Sequence, residues 1–433
     1  MTRVGACWLA MVMGLILALT GCERAPERPT STPPKTTITF LHYFTDSLSG
    51  GIDDMARSFN NSNTQYELKA VSLDHEAFKT SIQESLKSDQ PPDLYAYWAG
   101  ARTASLVADL EPLDDVWQKA RLDQVFAPSL VRAASSYQGH KYLLPLTQHY
   151  VAFFYNKKVF AQHGLKPPGN WAEFLAVCAT LKAHGVVPIA LGAKDKWPAQ
   201  FWFDLLLLRT APYEFREQLM AGQVSYNHPK VKAVFAQWAS LMEQGYFNDK
   251  PNTQAWDSGA NEMVYQGRAA MTLMGTWNIG YFGNAAHQWV AGQDYDFFPF
   301  PVVSPDIPVV ALGPIDGLVL PKKALNREGA KQAMVYLAGI EAQQAISHGS
   351  GALAPSILVP RAFYSDIQQR VLMAIEQSPQ FAFNYDLSTP PAVAELGLAA
   401  FSEFLAFPKA YPEILVKLGH DASARFQSLN TKP

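Results

Sequence analysis

Between residues 36 and 100 the chain alternates short β-branched or aromatic runs with apolar residues at helical spacing. That rhythm restricts the fold more than any other feature. Residues 36–44 (TTITFLHYF) and 66–73 read as strands, and Ile52, Met55 and Phe59 between them mark one helical face. A second helix is predicted over residues 75–87, with Phe78, Ile82 and Leu86 on one side. Pro91-Pro92-Asp93 breaks it, and residues 94–98 form a third strand before Gly100. This β-α-β-α-β order predicts an α/β layer with a mostly parallel sheet, whose ligand loops follow the carboxyl ends of the strands.

Ahead of that block, Arg3 and an apolar run over residues 8–19 end in Leu19-Thr20-Gly21-Cys22. About twelve apolar residues are too few to span a bilayer, which needs roughly twenty, but they suit a secretory signal. Small residues before Cys22 resemble the lipobox of bacterial lipoproteins, which implies cleavage after residue 21 and acylation of Cys22. Pro26, Pro29, Pro33 and Pro34 then punctuate a polar tether (residues 22–36) of roughly 40 Å reach. Of the three cysteines, Cys7 lies in the signal, so only Cys178 is left in the mature body. It reads as a small buried hydrophobe, which leaves no intramolecular disulfide and no metal site built on paired cysteines. The formal net charge of −3 comes without any basic stripe, which argues against nucleic acid as a partner.

A second block starts near Tyr142. Residues 143–156 read as extended chain entering a new strand, and Asn170 caps a helix over residues 171–183 after Pro167-Pro168-Gly169. A strand over 186–191, helices over 201–208, 231–243 and 256–266, and a strand over 269–274 ending in Gly275-Thr276-Trp277-Asn278 follow. Residues 297–303 and 309–319 are extended, 329–346 form one helix ended by Gly349-Ser350-Gly351, and 393–407 and 411–426 form a helical tail.

Several of these stretches are similar to the extracellular solute-binding proteins of ABC sugar importers, the class of the maltose-binding protein. They are Pro92 to Gly100, Pro145 with Tyr155-Asn156, Phe160 through Phe174, Ala269 to Trp277 and Ala330 to Ile346 with Glu341-Ala342-Gln343. The resemblance covers roughly residues 37–430. It implies an α/β, two-lobed periplasmic-binding-protein fold of the type II kind, with a multi-crossing hinge and the ligand cleft between the lobes. The lobes would be residues 37–147 plus 305–350 and residues 148–304 plus 351–433. Crossings are expected near residues 146–150, 299–312 and after 351. The implied protein is a monomer without cofactor or metal, anchored through Cys22 on the periplasmic or extracellular face. It would capture a mono- or oligosaccharide for the transmembrane subunits of an ABC permease.

Aromatic faces and placed polar groups suit a neutral sugar. Trp98 and Trp277, at strand ends, match the family's ligand-stacking tryptophans. Trp197 sits with Asp195 in the loop Lys194–Pro198, where the family often places ligand contacts, and Trp256 opens a helix after a polar loop. Trp117, Trp171, Trp238 and Trp289 read as core or cap residues, and His42 as a packed histidine. Among polar candidates, Asp46 follows the first strand, with helix capping as its competing role. Gln148 and His149 occupy the first crossing, where the maltose-binding protein uses acidic residues, so maltose itself is not implied. Asp316 lies in Gly313-Pro314-Ile315-Asp316-Gly317, where a turn role competes, and His348 is near the last crossing. Two other readings stand beside the sugar receptor. A glycerol phosphate or similar solute would use Arg102, Lys194 or Lys196, and a glycoside-active enzyme would need two carboxylates about 5–9.5 Å apart.

Overall fold

The computed structural model describes residues 34–45 and 49–431. The chain divides into two units, Met1–Lys35 and Thr36–Pro433, and the architecture below is that of the second. The signal segment, Cys22, nearly all of the tether and Asp46 lie outside the described residues.

The principal strands are β1 (Thr36–His42), β2 (Tyr66–Ser72), β3 (Leu94–Trp98), β4 (Leu144–Gln148), β5 (Val151–Asn156), β6 (Val187–Ala190), β7 (Ala269–Gly275), β8 (Tyr295–Phe298) and β9 (Ile315–Val319). They form two sheets, ordered β2-β1-β3-β9-β4 and β8-β5-β7-β6. β1 is parallel to β2 and β3, in line with the β-α-β-α-β reading. β9 is antiparallel to both β3 and β4, with Asp316 opposite Trp98 and Thr147. The second sheet pairs β6 parallel to β7, but β5 antiparallel to both β7 and β8. Both sheets are therefore mixed rather than mostly parallel. β9 is not delivered by a helical crossover from β3; it returns from the second sheet, so its direction is free of the βαβ rule.

The helices that position the site are α1 (Gly50–Ser62), α2 (His75–Lys87), α3 (Ala101–Ala104), α4 (Trp171–Ala183), α5 (Gln200–Thr210), α6 (Pro229–Glu243), α7 (Trp277–Gly283), α8 (Arg327–Leu337), α9 (Ile340–Ser350), α10 (Pro391–Ala406) and α11 (Tyr411–Asn430). α2 starts where Asp74 accepts the N–H groups of Glu76 and Ala77, and it buries Phe78, Ile82 and Leu86. α4 starts at Asn170, which accepts from Glu173 N–H. The single helix expected over residues 329–346 is two. Gly339 adopts an extended backbone (ψ 158°) between α8 and α9, which redirects α9 onto α1. There a Cβ on Gly51 would meet Ile346 Cα at 2.7 Å. α9 continues through Gly349 and Ser350 and ends at Gly351, whose φ of +72° is the left-handed cap. α7 was not anticipated, because Gly280 and Gly283 depress helix propensity over its seven residues.

Two residues, His149 and Tyr150, join β4 of the first sheet to β5 of the second. The returning chain passes them in contact: His149 N–H donates to Pro314 O at 3.0 Å. A Cβ on Gly313 would lie 2.0 Å from His149 O, so only glycine allows this approach. A third segment joins them where Gln148 and Leu353 exchange backbone hydrogen bonds, both 2.9 Å.

Each sheet has its own core. Ile38, Phe40, Ile52, Phe59 and Phe78 pack beneath the first. Trp202, Phe203, Phe235, Trp238, Phe401 and Phe404 pack beside the second. α5 is buried nearly all round, and within it Asp204 is fully buried. Arg216 Nη2 and Nε donate to Asp204 Oδ1 at 2.7 and 3.1 Å, Tyr385 N–H donates to Asp204 Oδ2 at 2.6 Å, and Arg216 Nη2 also reaches Phe383 O at 2.6 Å. The pair thus pins the 383–385 backbone to α5. Removing one member strands the other as a buried charge, which costs about 3–5 kcal/mol. Asp204→Ala is expected to lose that much in urea unfolding, and an unchanged midpoint would contradict the assignment.

Candidate functional site: an aromatic cleft between the sheets

Between the two sheets lies a cavity of about 350 Å³. Tyr43, Thr45, His75, Trp98, Arg102 and Asp316 line it from the first sheet's side. Trp197, Gln200, Phe201, Trp256, Trp277 and Tyr281 face them from the second, with His149 and Pro314 of the crossing strands. Asn384, Asp386 and Leu387 complete it.

The rings form one band across the gap. Tyr43 stacks on Trp98 (4.3 Å, 19°), and His75 meets Trp98 at 5.2 Å and Trp197 at 5.9 Å. Trp197 contacts Trp256 at 6.1 Å and Trp277 at 6.0 Å, and Trp256 contacts Tyr281 at 6.1 Å. Trp98 is only 8 % exposed, and the Arg102 guanidinium lies 5.5 Å over its ring. Half-buried Trp197, Trp256 and Trp277 therefore present more free ring surface. Trp277 lies back over Gly275, where an added Cβ would sit 2.1 Å from its ring.

Asp316 organises the polar side. Its Oδ1 accepts from Tyr43 O–H at 2.7 Å and its Oδ2 from Thr147 O–H at 2.6 Å. His149 Nε2 is 3.6 Å from the same Oδ2, while its Nδ1 pairs with Thr276 Oγ1 at 2.9 Å. The histidine thereby links β9 of the first sheet to the end of β7 in the second. Burial lowers the His149 pKa to about 4, against the pull of Asp316. The imidazole is neutral at pH 7, and the carboxylate favours its Nε2–H tautomer. Burial first, then Asp316, raises Tyr43 well above the usual phenol range, which keeps it a donor.

The cavity cations are paired. Arg102 meets Asp386 at 3.0 Å and Glu395 at 3.7 Å, and Lys79 meets Glu395 at 3.6 Å.

Of the residues singled out in the sequence, Trp98, His149, Trp197, Trp256, Trp277 and Asp316 line this cavity. Gln148, Asp195 and His348 are not among its lining. Gln148 spends its backbone on Leu353, and His348 is exposed on α9. Asp195 sits beside the loop's Trp197, its pKa raised by burial and then by Glu76. Sequence reasoning passed over Tyr43, His75, Asn384 and Asp386. Tyr43 was absorbed into a strand that ends at His42, and His75 into the start of α2. Residues 384–386 fall between Gly351 and the helical tail, in a stretch with no local pattern to mark them.

Two outcomes follow for this site. Gly275→Ala is expected to rotate the Trp277 indole off the strand end and weaken solute binding about tenfold with little change in unfolding midpoint. Unaltered binding would show that the ring position is immaterial. For His149, the folded pKa lies below the unfolded value of about 6.5. Above pH 6.5 both states are neutral; as pH falls toward 4 only the unfolded chain takes up the proton, so stability drops by about 3 kcal/mol. His42, also lowered to about 4 by burial, acts in the same direction. His149→Gln is expected to flatten that part of the pH–stability profile, and an equal slope in the variant would refute the account.

The family profile described as bacterial extracellular solute-binding protein matches residues 43–344. An uncharacterized ABC transporter extracellular-binding protein of Pyrococcus horikoshii is 29 % identical over 388 residues, covering 86 % of this chain and 84 % of that protein. The Escherichia coli sn-glycerol-3-phosphate-binding periplasmic protein is 24 % identical over 293 residues, covering 63 % of this chain and 61 % of its own. In three dimensions, the bacterial solute receptor AcbH, described as having an exclusive preference for β-D-galactopyranose, superposes with a TM-score of 0.84 at 27 % identity. That match covers 92 % of this chain and all of AcbH. With a profile match over more than half its length and two sheets flanking one cleft, the chain belongs to the family of bacterial extracellular solute-binding proteins.

Proposed function

We propose that this protein is a lipid-anchored receptor that closes over a neutral mono- or short oligosaccharide and delivers it to the transmembrane subunits of an ABC permease. The observation that carries this reading is the aromatic band from Tyr43 to Tyr281 around a cavity whose cations are already neutralised. Sugar rings present C–H faces to indoles and hydroxyls to fixed polar groups. A volume near 350 Å³ is at the small end of ligand pockets, roughly 300–1,000 Å³, and favours a short sugar. AcbH, a monosaccharide receptor of similar fold, supports the same size class.

The glycerol phosphate reading, supported by the E. coli relative, has a specific obstacle. Lys79 and Arg102 line the cavity beside Asp74, Asp257, Asp316 and Asp386, and each cation already has a carboxylate partner. A dianion would have to displace those partners against the remaining carboxylates. Membership of a transport family supports a receptor rather than a glycoside-active enzyme.

The lobes we assign are residues 37–147 with 305–350 and residues 148–304 with 351–433, and the mature chain would be a monomer tethered by Cys22 on the extracytoplasmic face. Among the described residues no helix is long and apolar enough to cross a membrane.

Calorimetry against D-galactose, maltose, xylobiose, chitobiose, trehalose and sn-glycerol 3-phosphate tests the solute class. A neutral sugar is expected to bind saturably and without turnover, and glycerol phosphate to give no heat of binding; the reverse result rejects the proposal. Trp277→Ala is expected to weaken the binding sugar tenfold or more, about 1.4 kcal/mol, and wild-type affinity in that variant would remove Trp277 from the site.

A further inference from the structure

Buried side-chain polar atoms are nearly always paired, so an exception on a residue in a cavity wall is informative. Asn384 is such a case. It is 5 % exposed, lines the cleft, and its Oδ1 has no hydrogen-bond partner. It precedes the short helix Tyr385–Ser388, where an asparagine normally turns its Oδ1 back onto the backbone N–H groups it precedes. Here it makes no such cap, because Leu387 N–H and Ser388 N–H donate to the Asn384 carbonyl instead, at 2.9 and 3.0 Å.

The backbone around it cannot shift to relieve this. Tyr385 N–H is held by Asp204 and Asp386 N–H by Gln200 Oε1 at 2.9 Å, while Arg216 holds Phe383 O. Across the same cavity, the Trp277 indole Nε1–H is also buried and unpartnered. The wall of the cleft thus includes a buried acceptor and a buried donor that no protein group satisfies. A hydroxylated solute supplies both complements: an O–H hydrogen for Asn384 and an oxygen lone pair for Trp277. The phosphate group of a glycerol phosphate brings acceptors only, so there the donor for Asn384 would have to come from the glycerol hydroxyls.

We propose that Asn384 is a specificity-determining residue of this receptor, its Oδ1 accepting a hydrogen bond from a sugar hydroxyl while Trp277 Nε1–H donates to a second sugar oxygen. The assignment deepens the sugar-receptor reading and rests on it. Leaving a buried hydroxyl without its partner is costly, so Asn384→Ala is expected to weaken binding on the order of tenfold.

The test uses D-galactose, or whichever sugar of the calorimetric panel binds wild type, with its monodeoxy and deoxyfluoro derivatives. On wild-type protein one deoxy position should lose about tenfold. The fluoro derivative at that position, which accepts but cannot donate, should lose as much. Asn384→Ala should bind parent and deoxy sugar equally, with a melting profile that shows it folded. If every fluoro derivative binds wild type like its parent, or Asn384→Ala binds the parent sugar unchanged, the assignment is overturned and the receptor reading survives. If wild type binds no sugar of the panel, both fall together. Where the alanine variant does not fold, the near-isosteric Asn384→Leu is put through the same derivative series with the same outcomes expected.

Discussion

The buried Asp204–Arg216 ion pair is the constraint on which the cleft depends. It joins α5, the helix Tyr213–Met220 that carries Arg216, and the return segment at residues 383–385 through four hydrogen bonds. A buried pair of this kind contributes little net stability against an apolar replacement, but loss of one partner is severe. Its value here is positional. It fixes the segment that presents Asn384 and Asp386 to the cavity, and Asp386 in turn receives Arg102 from the opposite side.

The three crossing segments give the two sheets a narrow connection. Backbone hydrogen bonds join Gln148 to Leu353 and His149 to Pro314 there. Glycine at 313 keeps the strands in contact, and the His149 side chain reads both sheets at once through Thr276 and Asp316. Hinge closure around a ligand is the established behaviour of periplasmic binding proteins. A ligand favours closure only by the difference in its affinity for the two states. In the present conformation, contacts between the two sides already exist at His75–Trp197, Arg102–Asp386 and Lys79–Glu395. The last involves a glutamate with a largely exposed side chain and so contributes little. The aromatic pair and the buried Arg102–Asp386 pair are the contacts that matter to the balance.

Much of the architecture was legible locally. The boundaries of α2 and α4 follow from Asp74 and Asn170 as caps and from apolar spacing inside each helix. The tryptophans at 197, 256 and 277 stood out as large apolar rings at loop or strand ends, and they do line the cavity. Sheet direction was not legible, because β9 arrives from the other sheet and no local pattern encodes its sense. Nor was the break between α8 and α9, where Gly339 is read as helix until α1 demands a change of direction. The acceptor at Asn384 was hidden in a stretch whose order comes from Asp204, Arg216 and Gln200, all distant in sequence.

By itself the sequence determined the periodicity of strands and helices, the family resemblance, and the supply of aromatic rings and carboxylates from which a solute cleft is made. These are short-range properties: side-chain spacing, capping and residue type act within a turn or a strand. The tertiary structure alone decided which of those groups share one cavity, which cations are cancelled by carboxylates nearly three hundred residues away, and which buried polar atoms stay unpaired. Pairing and burial depend on atoms brought together only when both sheets have closed their cores, so no window along the chain can display them.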